Sequence, residues 1–186
     1  MNFSPQLPFD FSVSENFTFT NFLTSGKNAE LVSLLEEFES YQDVVAFIWG
    51  KKGAGKSHLL QAICHANEEK ESLQALYLPM QKIRIFGPEV FKSLHHMDLI
   101  CLDDFDCIVG EQDWEESLFE FFNRCREEGV KLLVSSENSP RGLNFELQDL
   151  ASRMSWGVIY QLHELNDDEK LAALHRRAEE RHLPLS

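Results

Sequence analysis

Apolar positions recur along this chain with two periods, and the alternation between them predicts its elements. Five short runs, VVAFIW (44–49), LQALYL (73–78), DLICLD (98–103), VKLLVS (130–135) and GVIYQL (157–162), read as strands, with the continuous VVAFIW and DLICLD read as buried ones. Between the runs the spacing becomes helical. Leu31, Leu34, Leu35 and Phe38 share one face of a helix for which Asn28 is the candidate cap. A helix over about 56–67 follows the first strand, and Pro88 to His95 reads as a short helix with proline at its first position. Trp114, Leu118, Phe121, Phe122 and Cys125 form a stripe on a helix from Asp113 to Glu128, which Gly129 ends. A helix around Phe145–Met154 precedes the last strand, and Asn166 or Asp167 caps a long charged helix reaching about Arg181. Strands alternating with helices predict an α/β fold built on a parallel sheet covered on both faces.

One stretch fits neither period. SPQLPFDF (4–11) is apolar and flanked by prolines, and six of the fifteen phenylalanines fall in the first 22 residues. Such a segment either folds back on the core or serves as a ligand for another protein.

Composition narrows the function. The 186 residues suit one compact domain with a small appendage, and the net charge of −14 argues against direct, specific DNA binding, which needs a concentrated basic face. The four cysteines include no CxxC pair and lie in apolar surroundings, as expected of reduced thiols in a cytoplasmic protein. No apolar run approaches the length of a membrane span, and the N-terminus lacks the basic start of a signal peptide.

Two motifs carry the chemistry. GKKGAGKS (Gly50–Ser57) follows the first strand and opens a helix, the context a phosphate-binding loop requires. Gly50, Gly53, Ala54 and Gly55 let backbone N–H groups wrap a phosphate chain, and the helix N-terminus adds positive charge. Lys56 reaches the β- and γ-phosphates and Ser57 offers a hydroxyl to Mg²⁺. His58, on the first helical turn, adds a backbone N–H, while its ring reads as packing. The third strand ends in Asp103–Asp104. Strand carboxyl ends line the ligand crevice of a parallel sheet, so Asp103 is assigned to Mg²⁺ and Asp104 to the general base that activates water. ATP or ADP with Mg²⁺ is the expected ligand. The bland reading of Asp104 and Asp106 is as loop acids of an acidic chain.

These motifs, with LASRMSWG (150–157) before the last strand and FTFTNFLTSGKNAEL (17–31) ahead of the first helix, resemble the AAA+ ATPases of the DnaA family. Within it, DWEESLFEFFNRCREEGVKLLVSSENSPRGLN (113–144) and DLASRMSWGVIYQL (149–162) are most similar to the short Hda-type branch, which inactivates the initiator DnaA. The resemblance implies a three-layer P-loop core with a five-stranded sheet. It divides the chain into an extended clamp-binding tail (1–16), a nucleotide-binding base domain (17–165) and the first helix of an incomplete lid (166–186). Arg153 matches the arginine finger that acts on a neighbour's nucleotide; the bland reading is an intrahelical pair with Asp149. Glu137 matches the acidic sensor position, with Glu in place of the usual Asp. Phe22 belongs to the segment beside the adenine. Gln6, Leu7, Pro8 and Phe9 look like the family's peptide for the DNA polymerase sliding clamp.

The resemblance thus implies a regulator that binds adenine nucleotide, docks on the clamp and stimulates ATP hydrolysis on DnaA through a head-to-tail contact with the neighbour that Arg153 acts on, and it leaves a homo-oligomer open. A non-catalytic nucleotide-binding adaptor, a helicase-loader-like AAA+ protein and a P-loop small-molecule kinase are the rival readings. The last wants an acceptor pocket and an arginine-rich lid.

Overall fold

A computed structural model describes residues 17–40, 45–70, 73–94 and 97–180. The tail, including Gln6, Leu7, Pro8 and Phe9, lies outside the described residues.

Five parallel strands form one sheet: β1 (Val45–Trp49), β2 (Ala75–Pro79), β3 (Leu99–Asp103), β4 (Lys131–Ser136) and β5 (Val158–Gln161). Their order in the sheet is β2-β3-β4-β1-β5. The chain therefore leaves β1, passes over β4 and β3 to reach β2, and returns strand by strand before β5 adds on the far side of β1. The reversal beside β1 opens a crevice at the strands' carboxyl ends.

Two apolar layers cover the sheet. On one face, α1 (Ala29–Glu36) and α2 (Lys56–Lys70) pack Leu31, Leu35, Leu59, Leu60 and Ile63 against Ile48, Leu99, Cys101 and Leu133. On the other, α4 (Gln112–Glu128) and α5 (Gln148–Met154) bring Trp114, Leu118, Phe121, Phe122, Leu150 and Met154 onto Phe47, Ile100, Leu102 and Val134. Phe91 stacks on Phe121 with ring centroids 5.1 Å apart and meets Trp114 edge-on at 5.8 Å. Each such fully buried side chain contributes about 1.5–3 kcal/mol, which is why the unbroken runs 44–49 and 98–103 were legible as central strands.

The remaining elements depart from the sequence reading in instructive ways. A one-turn helix α3 (Met80–Ile83) follows β2, and Pro88–Ser93 is a 3-10 segment rather than an α-helix. Asn28 does not cap α1 with its side chain. Its amide instead donates to the His163 carbonyl at 2.9 Å and accepts from the His163 N–H at 3.0 Å, tying the start of α1 to the end of the sheet. The last helix, α6 (Asp167–Glu180), opens on a reciprocal cap: the Asn166 side chain accepts from the Glu169 N–H and the Glu169 carboxylate accepts from the Asn166 N–H. Phe145 sits in the core ahead of α5, which starts at Gln148. Gly157 lies against the start of β1, where a Cβ would stand 1.9 Å from the Val45 carbonyl oxygen, so the loop before β5 cannot carry a side chain there.

Candidate nucleotide-binding site

The loop between β1 and α2 closes on itself around one ammonium group. Lys56 is buried, and its Nζ donates to the Gly50 carbonyl at 2.7 Å and to the Lys51 carbonyl at 3.1 Å. Gly55 takes φ +106°, and a Cβ there would meet the Phe22 ring at 2.8 Å. Two constraints thus converge on one glycine: a backbone angle that L-residues rarely adopt and a ring pressed against the loop.

Phe22 is fixed from behind. The His58 ring contacts the Phe17 and Phe22 rings edge-on, at 4.9 and 5.1 Å between centroids, and its Nε2 hydrogen-bonds the Thr18 carbonyl at 2.9 Å. His58 is therefore more than filler: it fastens the segment 17–22 to the loop. Arg176 on α6 donates to the Thr20 carbonyl, and Lys51 pairs with Glu164 at 3.2 Å, so the last helix is tied to the same segment and loop.

Two cavities meet at this loop. The larger, of about 570 Å³, is lined by Phe17, Lys52, Gly53, Gly55, Lys56, Ser57, His58, Gln81, Asp104, Asp106, Cys107 and Glu137. The smaller, of about 350 Å³, is lined by Asn21, Phe22, Leu23, Gly53, Ala54, Gly55, His58, Leu165, Lys170, Ala173 and Leu174. The first is charged and the second mostly apolar, and Gly53, Gly55 and His58 belong to both. A charged pocket for phosphates joined to an apolar slot for a flat ring is the division of labour a nucleotide site needs.

The acidic end of β3 sits beneath the larger cavity. Asp103 is buried, and both of its carboxylate oxygens accept hydroxyl donors: Tyr77 from β2 at 2.6 Å, and Ser135 from β4. Burial, and then the facing Asp103 carboxylate, raises the Tyr77 phenol far above its usual range, so it remains a donor. Asp104 is half-buried in the left-handed conformation, φ +56°, and its N–H donates to Ser135 Oγ at 3.1 Å. Burial first and the Asp103 charge second push the Asp104 carboxyl up, against the pull of Lys56. Asp106 is no idle loop acid. Its carboxylate accepts the Ser136 hydroxyl and the Glu137 N–H, holding the turn after β4. Glu137 itself is exposed on the cavity rim.

Among the described residues no cluster of three or more His, Cys, Asp or Glu is arranged to hold a metal. Mg²⁺ in phosphate sites is held by one or two protein oxygens together with phosphates and water, and Ser57 with the oriented Asp103 fits that donor set.

Arg153 lies elsewhere. It lines neither cavity. Its guanidinium stacks over Phe119 at 4.6 Å, Trp156 at 5.0 Å and Phe122 at 5.5 Å, rather than pairing with Asp149. Arg126 covers the same Trp156 ring at 5.7 Å, and Trp156 is 56% exposed. One buried guanidinium nitrogen, Nη1 of Arg153, has no hydrogen-bond partner.

The family model of the bacterial DnaA ATPase domain matches residues 13–161. The chain belongs to that family. As a DnaA-like AAA+ domain it is similar in fold to domain III of the Thermotoga maritima replication initiation protein DnaA, with a TM-score of 0.78 and 22% identity over 92% of this chain and 77% of that one. AMPPCP-bound DnaA from Aquifex aeolicus gives a TM-score of 0.77 and 22% identity over 94% of this chain, which spans 58% of that protein's length. The DnaC helicase loader gives 0.61 and 13% identity over 80% of this chain and 98% of the loader. At these identities the likeness is one of fold. Among the described residues of this DnaA-like domain, no helix is long and apolar enough to cross a membrane.

Of the residues that the sequence nominated, Gly53, Ala54, Gly55, Lys56, Ser57, His58, Phe22, Asp104 and Glu137 line the joined cavities. Gly50 and Asp103 support them from beneath. Three contributors went unread: Tyr77, the hydroxyl role of Ser135, and Glu115. Glu115 is buried within the apolar stripe of α4, accepting the Gly110 N–H through Oε1 and the Leu147 N–H through Oε2, each at 2.7 Å. An acid three residues before Leu118 on an apolar stripe was a signal for it.

Proposed function

We propose that this DnaA-family domain is an Hda-like regulator that binds ATP or ADP with Mg²⁺, docks on the sliding clamp through Gln6–Phe9, and uses Arg153 to promote hydrolysis of ATP bound to DnaA. The observation carrying the nucleotide half is the pair of joined cavities centred on Gly53, Gly55 and His58. Lys56 and the loop N–H groups would hold the phosphates, Phe22 and Leu23 would flank the base, and Ser57 with Asp103 would hold the metal. Held there, the metal would neutralise charge on the phosphates. Asp104, with its raised carboxyl, suits a base that takes a proton from water, and Glu137 on the rim is placed to sense the γ-phosphate.

The regulatory half is supported by Arg153. Its guanidinium lines neither cavity of this chain, and three aromatic rings hold its plane, which suits a role toward an anion outside the chain's own site. On this reading the neighbour's nucleotide would meet this face in a head-to-tail contact. The chain's −14 charge disfavours direct DNA contact, so the clamp would supply the link to DNA.

The test measures ATP turnover by DnaA in the presence of DNA-loaded clamp. Arg153→Ala should abolish stimulation while clamp capture persists, and deleting residues 1–11 should abolish capture. Stimulation that survives Arg153→Ala removes the finger assignment. Nucleotide binding with no stimulation by the unaltered chain favours the non-catalytic adaptor, and clamp capture unaffected by the deletion removes the tether assignment.

A further inference from the structure

We infer that Tyr77 is a positioning residue for the metal side of the site, holding the Asp103 carboxylate in the orientation that Mg²⁺-nucleotide binding requires. This rests on the nucleotide-binding reading and adds to it a residue that lines neither cavity.

The register of the sheet explains the contact. Tyr77 pairs with Cys101 and Pro79 with Asp103 across the parallel β2–β3 ladder. Successive side chains alternate faces, so Tyr77, Cys101 and Asp103 all lie on the α2 side of the sheet. The phenol ring runs forward along that face, and its hydroxyl reaches Asp103 Oδ2 at 2.6 Å. Gln61 hydrogen-bonds the same phenol oxygen. Gln61 stands four residues after Ser57 on α2, one turn below it on the same helical face. Tyr77 is thereby held between the helix that carries Ser57 and the strand that carries Asp103.

The consequence follows from counting acceptor sites. A carboxylate has about four lone-pair positions, and Tyr77 and Ser135 occupy one on each oxygen of Asp103. The two donors come from opposite neighbouring strands, β2 and β4, so the carboxylate is gripped on both sides and its rotation is blocked. The remaining positions stay open for the hydrated metal. Outer-shell hydrogen bonds of this kind typically alter metal affinity by roughly 10–100-fold, and a carboxylate acting through water falls toward the lower end.

The experiment titrates Mg²⁺ at fixed concentrations of the full chain and a fluorescent ATP analogue, alongside binding in EDTA. Tyr77→Phe keeps the ring and removes only the hydroxyl. The expected result is a rise of about ten-fold in the Mg²⁺ concentration at the midpoint, with EDTA affinity within about two-fold of the unaltered chain. Ser135→Ala removes the opposite donor and should shift the midpoint in the same direction, which keeps the inference testable if Tyr77→Phe folds poorly. An unchanged midpoint in a folded variant overturns the inference. So does an equal loss of affinity in Mg²⁺ and in EDTA, which would mark Tyr77 as support for the pocket rather than for the metal. An unaltered chain that binds the analogue in neither buffer overturns the nucleotide-binding reading itself, and this inference with it.

Discussion

Glu115→Gln is the substitution that tests most directly how the two halves of this molecule are joined. Glu115 is 1% exposed on α4, and each of its carboxylate oxygens accepts one backbone N–H at 2.7 Å. One donor, Gly110, ends the turn after the acidic strand β3; the other, Leu147, immediately precedes α5 and Arg153. A single side chain therefore pins the loop behind Asp103 and Asp104 to the helix of the proposed finger. Glutamine preserves the shape but has one acceptor oxygen where two are needed. Its amide must present an N–H to a backbone N–H, and one partly buried donor loses its partner. A hydrogen bond to a charged group is worth about 1.5–3 kcal/mol, and because water can reach these partly buried donors the loss should lie toward the low end, about 2 kcal/mol. With a urea slope near 2 kcal/mol/M, the unfolding midpoint should fall by about 1 M with the slope unchanged. Equilibrium urea unfolding followed by tryptophan fluorescence reads this, since Trp114 lies beside the substitution in α4. A midpoint shift under about 0.3 M would refute the reasoning, because it would mean that the carboxylate is not carrying these two donors.

Two further outcomes follow from the site. Gly55→Ala forces a Cβ to within 2.8 Å of the Phe22 ring at φ +106°, a strain of about 1–3 kcal/mol on the loop; nucleotide affinity measured by calorimetry should drop at least about ten-fold, and retained affinity would show that Phe22 does not set the loop. Asp104→Asn removes a partly desolvated charge beside Asp103. Because the folded-state carboxyl is raised, native Asp104 contributes most stability when protonated and loses it as pH rises through the window between its unfolded and folded pKa values. The asparagine variant should therefore melt higher than the unaltered chain at neutral pH, with the gap closing as pH falls below the carboxylate range. A gap that widens on acidification would reverse the sign of this argument.

The local code of this chain was strong enough to determine its elements and its phosphate loop. The runs VVAFIW and LICL (99–102) are apolar at every position because both sheet faces are covered, and that signal needs no knowledge of partners. The loop Gly50–Ser57 was legible because backbone wrapping of phosphate demands glycine at fixed intervals, and the last helix start because capping is local; the reciprocal pair with Glu169 chose Asn166 over Asp167. The paired acids after β3 were readable as candidates but not as a site. Which of them is buried, and which is turned into the left-handed conformation, depended on hydroxyls arriving from β2 and β4. Tyr77 and Ser135 are 26 and 32 residues from Asp103 in sequence, so no short-range pattern announces them.

The same limit applies to Asn28 and Arg153. Each had a plausible local partner, a helix N-terminus for one and Asp149 for the other, and each was taken by a distant one. Asn28 found two unpaired backbone groups at His163, 135 residues away. Arg153 found three aromatic rings from α4 and the loop after α5. A solvated local pair gains a few tenths of a kcal/mol, whereas satisfying buried backbone groups or stacking a guanidinium on half-buried rings gains more. Sequence alone determined what this chain can build within a few turns. The tertiary fold decided which polar groups lose water, and that loss sets where each of them must bond.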